Sequence, residues 1–258
     1  MTVSQDHRAE VASVQDLTIA YGRSVLMKEM SFEVRQGDIF IIMGGSGSGK
    51  STLMKVMVGL KSPASGSVHY GKTDFWALGA EGRKSMMRQF GILYQSGALW
   101  SSMTLAENVA LPIEQYTDLN PRQVRELVSL KLALVGLSGF EDYYPQAISG
   151  GMRKRAGLAR AMALDPKILF FDEPGAGLDP VSSKMLDDLI LEIRDNLGST
   201  IVIVTHELAS IFAIGTRAIF LDMETRTIGA VGAPGELARQ SDNPNVRQFL
   251  NRGETNGR

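Results

Sequence analysis

The stretch that decides the fold runs from residue 44 to residue 52 and reads Gly44-Gly45-Ser46-Gly47-Ser48-Gly49-Lys50-Ser51-Thr52. It has the spacing G-x-x-x-x-G-K-S, which is typical of loops that bind the phosphates of nucleoside triphosphates. The apolar run Ile39–Met43 precedes it, and a helix-forming stretch to about Leu60 follows it. Glycines let backbone N–H groups converge on phosphate oxygens, and a helix N-terminus adds partial positive charge. The pattern therefore predicts a strand, a phosphate-binding loop and a helix.

Two side chains of this loop have predicted chemical roles. Lys50 is expected to contact the β- and γ-phosphates, and Ser51 to bind Mg²⁺ through its hydroxyl. The alternative, an ordinary glycine-rich surface loop, is disfavoured because the strand, the loop and the helix are all in register. The predicted ATP-binding residues of the loop are Gly44, Gly45, Ser46, Gly47, Ser48, Gly49, Lys50, Ser51 and Thr52.

A pair of carboxylates ends a second apolar strand. The run Ile168–Phe171 leads directly into Asp172 and Glu173. Side chains at the carboxyl ends of parallel strands face the ligand crevice of an α/β sheet. We expect Asp172 to hold the Mg²⁺ shell and Glu173 to act as the general base for the attacking water. The alternative is that the two acids cap the next helix.

Composition excludes several classes of protein. The 258 residues carry 27 basic and 28 acidic side chains, so no nucleic-acid-binding surface is predicted. The absence of cysteine excludes disulfides and cysteine-based metal sites. Every apolar run is strand-sized, whereas a membrane-spanning helix needs about 20 apolar residues. The first ten residues lack a secretory signal. A role at a membrane would therefore require a partner that holds the chain there.

Strands alternate with helices along the chain, which predicts a parallel α/β core. We predict one domain over residues 1–258, with a core made of 11–95 and 164–240, a helical subdomain at 96–163 and a tail at 241–258. The helix expected from Ser149 to Leu164 has four basic residues predicted to be exposed, Arg153, Lys154, Arg155 and Arg160. In the tail, Val246, Phe249 and Leu250 have helical spacing. They suit packing on the same domain, or docking on a second subunit or an accessory protein.

A short motif, Ile148-Ser149-Gly150-Gly151-Met152, lies between the loop and the paired acids. In this order, the three motifs resemble the ATPase subunits of ABC transporters over roughly residues 11–240. The resemblance implies a P-loop NTPase core with a parallel sheet, an N-terminal antiparallel β-subdomain and an inserted helical subdomain. It also implies ATP and Mg²⁺ as cofactors, ATP hydrolysis and a homodimer. In such a dimer, ATP would be contacted in trans by Ser149, Gly150, Gly151 and Asp179.

The same resemblance gives roles to three further residues. Tyr21 would stack on adenine, Gln95 would sense Mg²⁺ and contact the transporter, and His206 would face the γ-phosphate. The implied catalytic set is then Lys50, Glu173 and His206, and the implied metal set is Ser51, Gln95 and Asp172. Taken alone, Tyr21 could be a packing residue and Gln95 a surface amide. Asp179 before Pro180 also predicts a helix N-cap, which is compatible with a contact in trans.

Two departures from the common family pattern narrow the resemblance. Met152 stands where most members have Gln, and Gly175-Ala176-Gly177 stands where most have Thr-Ser or Thr-Ala after Glu-Pro. Together with 95–100 and 103–109, Met152 resembles the Mla-type ATPases that serve MCE-linked phospholipid transporters. This likeness implies a membrane permease, an MCE-domain protein and a STAS-domain protein as partners, at the cytoplasmic face of the inner membrane.

Other readings of the sequence remain open. An importer ATPase for another cargo, such as an amino acid or a metal, fits the same motifs. A protein acting on DNA or ribosomes is disfavoured, because the chain has a single cassette, no cysteine and only 54 residues between Gln95 and Ser149. Leu99 and Trp100 suit a groove that accepts a permease helix, or simple packing within the subdomain.

Overall fold

The computed structural model describes residues 8–252. Its smaller sheet is antiparallel and follows the order β2-β1-β4-β5. Adjacent strands of this sheet are hydrogen-bonded in antiparallel register throughout, as in the pair Val14 and Phe32. The strands are β1 (Glu10–Tyr21), β2 (Ser24–Arg35), β4 (Ser65–Tyr70) and β5 (Thr73–Asp74). This sheet is the antiparallel β-subdomain that the resemblance implies.

The larger sheet has six strands in the order β10-β9-β3-β8-β7-β6. Its strands are β3 (Ile39–Gly44), β6 (Phe90–Leu93), β7 (Ile168–Asp172), β8 (Thr200–Val204), β9 (Arg217–Asp222) and β10 (Thr227–Gly232). Only β10 is antiparallel to its neighbour; the other pairs are parallel. The carboxyl ends of β3, β6, β7 and β8 therefore lie at one edge of the sheet, which is where α/β folds place their ligands.

Within residues 8–252, nine α-helices connect or flank these strands. They are α1 (Lys50–Met57), α2 (Ala80–Met87), α3 (Leu105–Tyr116), α4 (Pro121–Leu134), α5 (Gly150–Ala161), α6 (Pro180–Leu197), α7 (Leu208–Ile214), α8 (Pro234–Gln240) and α9 (Pro244–Asn251). A 3₁₀ turn at Pro145–Ala147 precedes α5. Across residues 8–252, no helix has both the length and the apolar character that a membrane crossing requires.

The parallel sheet is apolar on both faces, and its alternating side chains enter two cores. Ile41 of β3 joins a core made with α3 to α9. Its neighbour Ile42 joins a second core that contains α1 and the antiparallel sheet. Burial on both faces explains why β3, β7 and β8 are continuous apolar runs in the sequence. The fold is thus the predicted α/β architecture, and α3, α4 and α5 lie within the segment predicted as the helical subdomain.

One prediction about α5 is wrong. Of the four basic residues predicted to be exposed, Lys154 is buried with 6% of its surface accessible, Arg155 and Arg160 are half-buried, and Arg153 is exposed. The cause is a close approach between α5 and the segment after β6: a Cβ on Gly157 would lie 3.0 Å from the carbonyl oxygen of Gly97. Backbone carbonyls of that segment need donors, and cations of α5 supply them.

The described part of the tail packs on its own domain. Val246, Phe249 and Leu250 of α9 are buried in the same core as β9, with the rings of Phe249 and Phe220 5.3 Å apart. The amphipathic spacing read from the sequence is therefore used for intramolecular packing. The predicted domain and tail also include residues 1–7 and 253–258, which lie outside the described residues.

Candidate nucleotide site

The loop of residues 44–49 turns at the carboxyl end of β3, and its glycines are required by space and by backbone angle. A Cβ on Gly44 would lie 2.7 Å from Ser48 Oγ and 2.8 Å from the Leu221 carbonyl oxygen. Gly49 has φ +90°, in the left-handed region that glycine adopts without strain. The loop can therefore fold back tightly before α1 begins.

Lys50 lies inside the curve of this loop. Its Nζ donates to the carbonyl oxygens of Gly44 at 3.0 Å and Gly45 at 2.9 Å, and 8% of its surface is accessible. Burial lowers the pKa of Lys50, and the carboxylates of Glu173 and Asp172 oppose that shift. A cation held beside two carboxylates in this way is available to phosphate oxygens that enter the loop.

The N-terminus of α1 has no side-chain cap. Its N-cap residue, Gly49, has no side chain that could accept a hydrogen bond from the first-turn N–H groups. Those donors and the positive end of the helix dipole point out of the helix at the loop. An anion of the size and charge of a phosphate group fits such a helix end.

Ser51 and Asp172 come together from different elements. Ser51 Oγ of α1 donates to Asp172 Oδ1 at the end of β7, at 2.8 Å. A hydroxyl and a carboxylate oxygen at one point are ligands of the kind that Mg²⁺ prefers. Gln95, after β6, lines the neighbouring cavity and can supply an amide oxygen. The three residues predicted for the metal thus fit Mg²⁺ by donor chemistry.

Glu173 is held in an unusual conformation beside His206. Its φ is +48°, which is uncommon for a residue with a side chain. Its N–H donates to the Val204 carbonyl at 2.8 Å, and Oε1 lies 2.7 Å from Nδ1 of His206. The other carboxylate oxygen, Oε2, is buried and has no hydrogen-bond partner in the protein. A buried acceptor without a donor is rare in native proteins, and a catalytic role is one reason for it.

One cavity of about 610 Å³ joins these groups. It brings together the phosphate loop and four of the other predicted residues, Tyr21, Gln95, Glu173 and His206. Tyr21 is exposed at the end of β1, and Lys61 Nζ lies 4.0 Å from its ring centroid. The cavity is lined by Tyr21, Leu26, Gly44, Ser46, Gly47, Gly49, Lys50, Ser51, Thr52, Gln95, Glu173, His206 and Arg252.

Seven predicted residues do not line this cavity. Three of them belong to elements that do reach it: Gly45 and Ser48 are in the phosphate loop, and Asp172 accepts from Ser51. The other four are Ser149, Gly150, Gly151 and Asp179. They lie together at the N-termini of α5 and α6, because a Cβ on Gly151 would lie 3.6 Å from the Ser182 side chain. Both helix ends are capped from within. Ser149 Oγ accepts from the Met152 N–H at 3.2 Å, and Asp179 Oδ1 accepts from the N–H groups of α6. Asp179 is thus the N-cap that its sequence position predicts.

Three residues at or near the site were not predicted there: Leu26, which lines the cavity, Arg252 and Lys154. Arg252, one residue beyond α9, lines the cavity, donates to the His206 carbonyl and lies with its guanidinium carbon 4.3 Å from the Phe249 ring centroid. Lys154 donates to the carbonyls of Gln95 and Glu173. No sequence motif surrounds Arg252. The one signal in the sequence is its spacing of three residues after Phe249, which places the two side chains on one side of a helical turn. Lys154 is hidden within a run of basic residues.

Comparisons with known proteins identify the family of this chain. The family described as ABC transporter matches residues 27–176. A protein of Mycobacterium tuberculosis named probable ribonucleotide transport ATP-binding protein mkl is 40% identical over 92% of this chain, which spans 66% of that relative's length. The intermembrane phospholipid transport system ATP-binding protein MlaF of Haemophilus influenzae is 36% identical, with 95% of this chain and 91% of that protein covered.

Solved structures of similar proteins share the fold. The cassette MJ0796, in a dimeric post-hydrolysis state bound to ADP and phosphate, matches with a TM-score of 0.78 and 26% identity over 86% of this chain and 98% of that one. The cbiO1 protein of Clostridium perfringens matches with a TM-score of 0.82 and 25% identity over 94% and 95%. By its sequence, its fold and the cavity at its phosphate loop, this chain belongs to the ABC transporter family.

Proposed function

We propose that the chain is the ATP-hydrolysing subunit of a membrane ABC transporter. The observation that carries the proposal is the cavity in which Glu173, bonded to His206, lies beside Lys50 of the phosphate loop. In this proposal, Lys50 and the N–H groups of the loop bind the triphosphate. Tyr21 supports the adenine, and Mg²⁺ held by Ser51, Gln95 and Asp172 neutralises phosphate charge when bound.

Glu173 is proposed as the general base. Its carboxylate lines the cavity and accepts the proton of the attacking water, while His206 holds Oε1. His206 orients that carboxylate from one side and presents the rest of its ring to the γ-phosphate. The water, the base and the phosphate are thereby kept in one geometry, which is the largest contribution that a protein makes to phosphoryl transfer.

The site is completed by a second copy of the chain in this proposal. Ser149, Gly150, Gly151 and Asp179 lie away from the cavity of their own chain, at two adjacent helix N-termini. A head-to-tail homodimer would place these helix ends against the phosphate of the partner's ATP. The cassette MJ0796 is itself dimeric in both solved forms, which supports this arrangement.

We propose phospholipid, moved between the inner and outer membranes, as the cargo. One support is the MlaF relatives at 35% and 36% identity, since this chain spans about nine tenths of their length. The other is the likeness of Met152 and residues 95–100 to Mla-type ATPases. The chain would then act at the cytoplasmic face of the inner membrane, bound to a permease, with an MCE-domain protein and a STAS-domain protein as further partners.

A second candidate cargo has its own observation. The relatives named for ribonucleotide transport and for glycine betaine transport are 40% and 37% identical, so identity alone favours no cargo. An importer ATPase for a small polar solute uses the same nucleotide site. The two proposals differ only in what the permease carries.

The experiment that tests the function is deletion of the gene, followed by complementation with the natural chain or with Glu173→Gln. If the cargo is phospholipid, deletion is expected to alter the lipid content of the outer membrane. The natural chain is expected to restore it, and Glu173→Gln is not. Uptake of labelled ribonucleotide and glycine betaine is followed in parallel. An unchanged outer membrane with lost uptake of either solute would favour the second candidate, and rescue by Glu173→Gln would contradict the ATPase role.

A further inference from the structure

Lys154 occupies a position that its place in a basic run does not explain. It lies one turn into α5, after Ser149-Gly150-Gly151, and it is buried with 6% of its surface accessible. Burial lowers its pKa, while the carboxylates of Glu207, Glu173 and Asp172 oppose that shift. A lysine with so little access to water needs a set of acceptors in the protein.

Those acceptors come from two separate functional segments. Lys154 Nζ donates to the carbonyl oxygen of Gln95, where β6 ends, and to the carbonyl oxygen of Glu173 at 3.3 Å. One ammonium group therefore joins α5 to the main chain of Gln95, a residue proposed for the metal, and to the main chain of Glu173, the proposed base. Both bonds are to backbone carbonyls, so they fix the positions of the two segments and do not involve the side chains of Gln95 and Glu173.

The two segments need such support, because each leaves the sheet in a conformation that is costly for side chains. Glu173 has φ +48°, and Ala98, three residues after Gln95, has φ +50°. Left-handed backbone at non-glycine residues persists only where surrounding contacts hold it. A second cation of α5 continues the same support, because Arg160 donates to the carbonyls of Gly97 and Ala98.

We infer that Lys154 is a positioning residue for hydrolysis: it fixes the main chain of Glu173 and the start of the segment after Gln95 to the helix that begins at Ser149. The inference rests on the proposed role of Glu173 as general base. A shift of α5, when a partner chain engages its N-terminus, would then move the base directly. Lys154 does not line the nucleotide cavity, so its effect belongs in turnover and not in nucleotide affinity.

The experiment compares Lys154→Met with Lys131→Met in the full chain. Lys131 is a matched control, because it is also a buried lysine of this helical segment, with 3% accessible, but its ion pair is with Asp165. We expect Lys154→Met to lower kcat by about 10- to 100-fold, as displacement of a reacting group does, with the Kd for ATP changed less than about threefold. Lys131→Met is expected to lower thermal stability with kcat nearly unchanged.

Two further variants keep the test decisive. Lys154→Arg keeps a cation and its donors, and we expect it to recover most of the turnover, which covers the case in which the methionine variant does not fold. In a Glu173→Gln background, Lys154→Met is expected to cause little further loss, because both changes act on one group. An equal fold-loss in both backgrounds, or equal kcat for the two methionine variants, would overturn the inference. A natural chain that releases no phosphate would instead overturn the proposed function, and the inference with it.

Discussion

Two helices of this protein begin at glycine-rich turns, and they begin differently. At α1, the N-cap is Gly49 in the left-handed region, and no side chain accepts from the first-turn N–H groups. At α5, the N-cap is Ser149 in extended backbone, and its hydroxyl accepts from the Met152 N–H. The first helix end is open toward a ligand, and the second is satisfied within its own chain.

Their surroundings differ in the same sense. The α1 end shares a cavity with Lys50, Gln95, Glu173 and His206. A Cβ on Gly150 or Gly151 at the α5 end would meet Arg153, Leu178 and Ser182 within 4 Å, and none of the four residues named for the cavity. The first region is thus equipped to bind phosphate unaided, whereas the second can contribute only helix-end donors to a phosphate that something else holds. This difference is the structural basis for proposing a shared site between two chains.

The largest effect is expected from Glu173→Gln, which tests whether the first region holds the reaction chemistry. The amide cannot take a proton, so we expect phosphate release to fall by about 10²- to 10⁴-fold. ATP binding should persist, because the phosphate loop is untouched. Steady-state phosphate release and equilibrium binding measure the two properties. The exposed Glu126→Gln, on α4, is the matched control, and equal turnover in both variants would remove Glu173 from the proposed role.

The next effect is on binding. Lys50→Ala removes the buried cation of the loop, and a charged hydrogen bond is worth about 1.5–3 kcal/mol, so we expect ATP affinity to fall about 10- to 100-fold. Lys55→Ala provides the control, since Lys55 is exposed on the same helix. Binding of a fluorescent ATP analogue measures the change. Natural affinity in the Lys50 variant would contradict the assignment of the phosphate loop.

Mixing two inactive chains tests whether the α5 end acts on the nucleotide of a partner chain. Gly151→Asp puts a carboxylate at the α5 end, where it would repel a partner's phosphate, so hydrolysis should fail while each chain still binds ATP. Lys50→Ala is inactive for a different reason. In a head-to-tail dimer, a mixed pair has one intact site, and random pairing is expected to restore about one quarter of natural turnover. No recovery on mixing would mean that both helix ends act within one chain.

The sequence was sufficient for the parts of this site that are local. The strand before Gly44, the pair Asp172-Glu173 and the N-cap Asp179 each depend on neighbours in the chain, and the structure has them as predicted. Lys154 was placed wrongly, because its burial depends on carbonyls 59 and 19 residues away.

The same limit applies to Arg252, whose partner carbonyl at His206 is 46 residues distant. Contacts of this kind depend on how elements pack, and no local pattern of residue types records them. The roles assigned to single residues by resemblance stay predictions until the variants above are measured.

The smallest effect is expected from Arg252→Met, which asks whether the first region extends to the end of α9. The guanidinium lines the nucleotide cavity, and its positive charge contributes to the lowered pKa of Lys50, so the two cations are close enough to act on the same phosphates. Arg252 is exposed, and exposed ion pairs are worth about 0–1 kcal/mol, so we expect ATP affinity to fall by at most about fivefold. The loss should shrink at high salt, because exposed charges are screened. Arg247→Met is the control, since Arg247 is exposed on α9, the helix that Arg252 follows, and does not line the cavity. If both variants bind ATP equally at low salt, the phosphate-binding region ends at the sheet edge, and α9 serves only as packing.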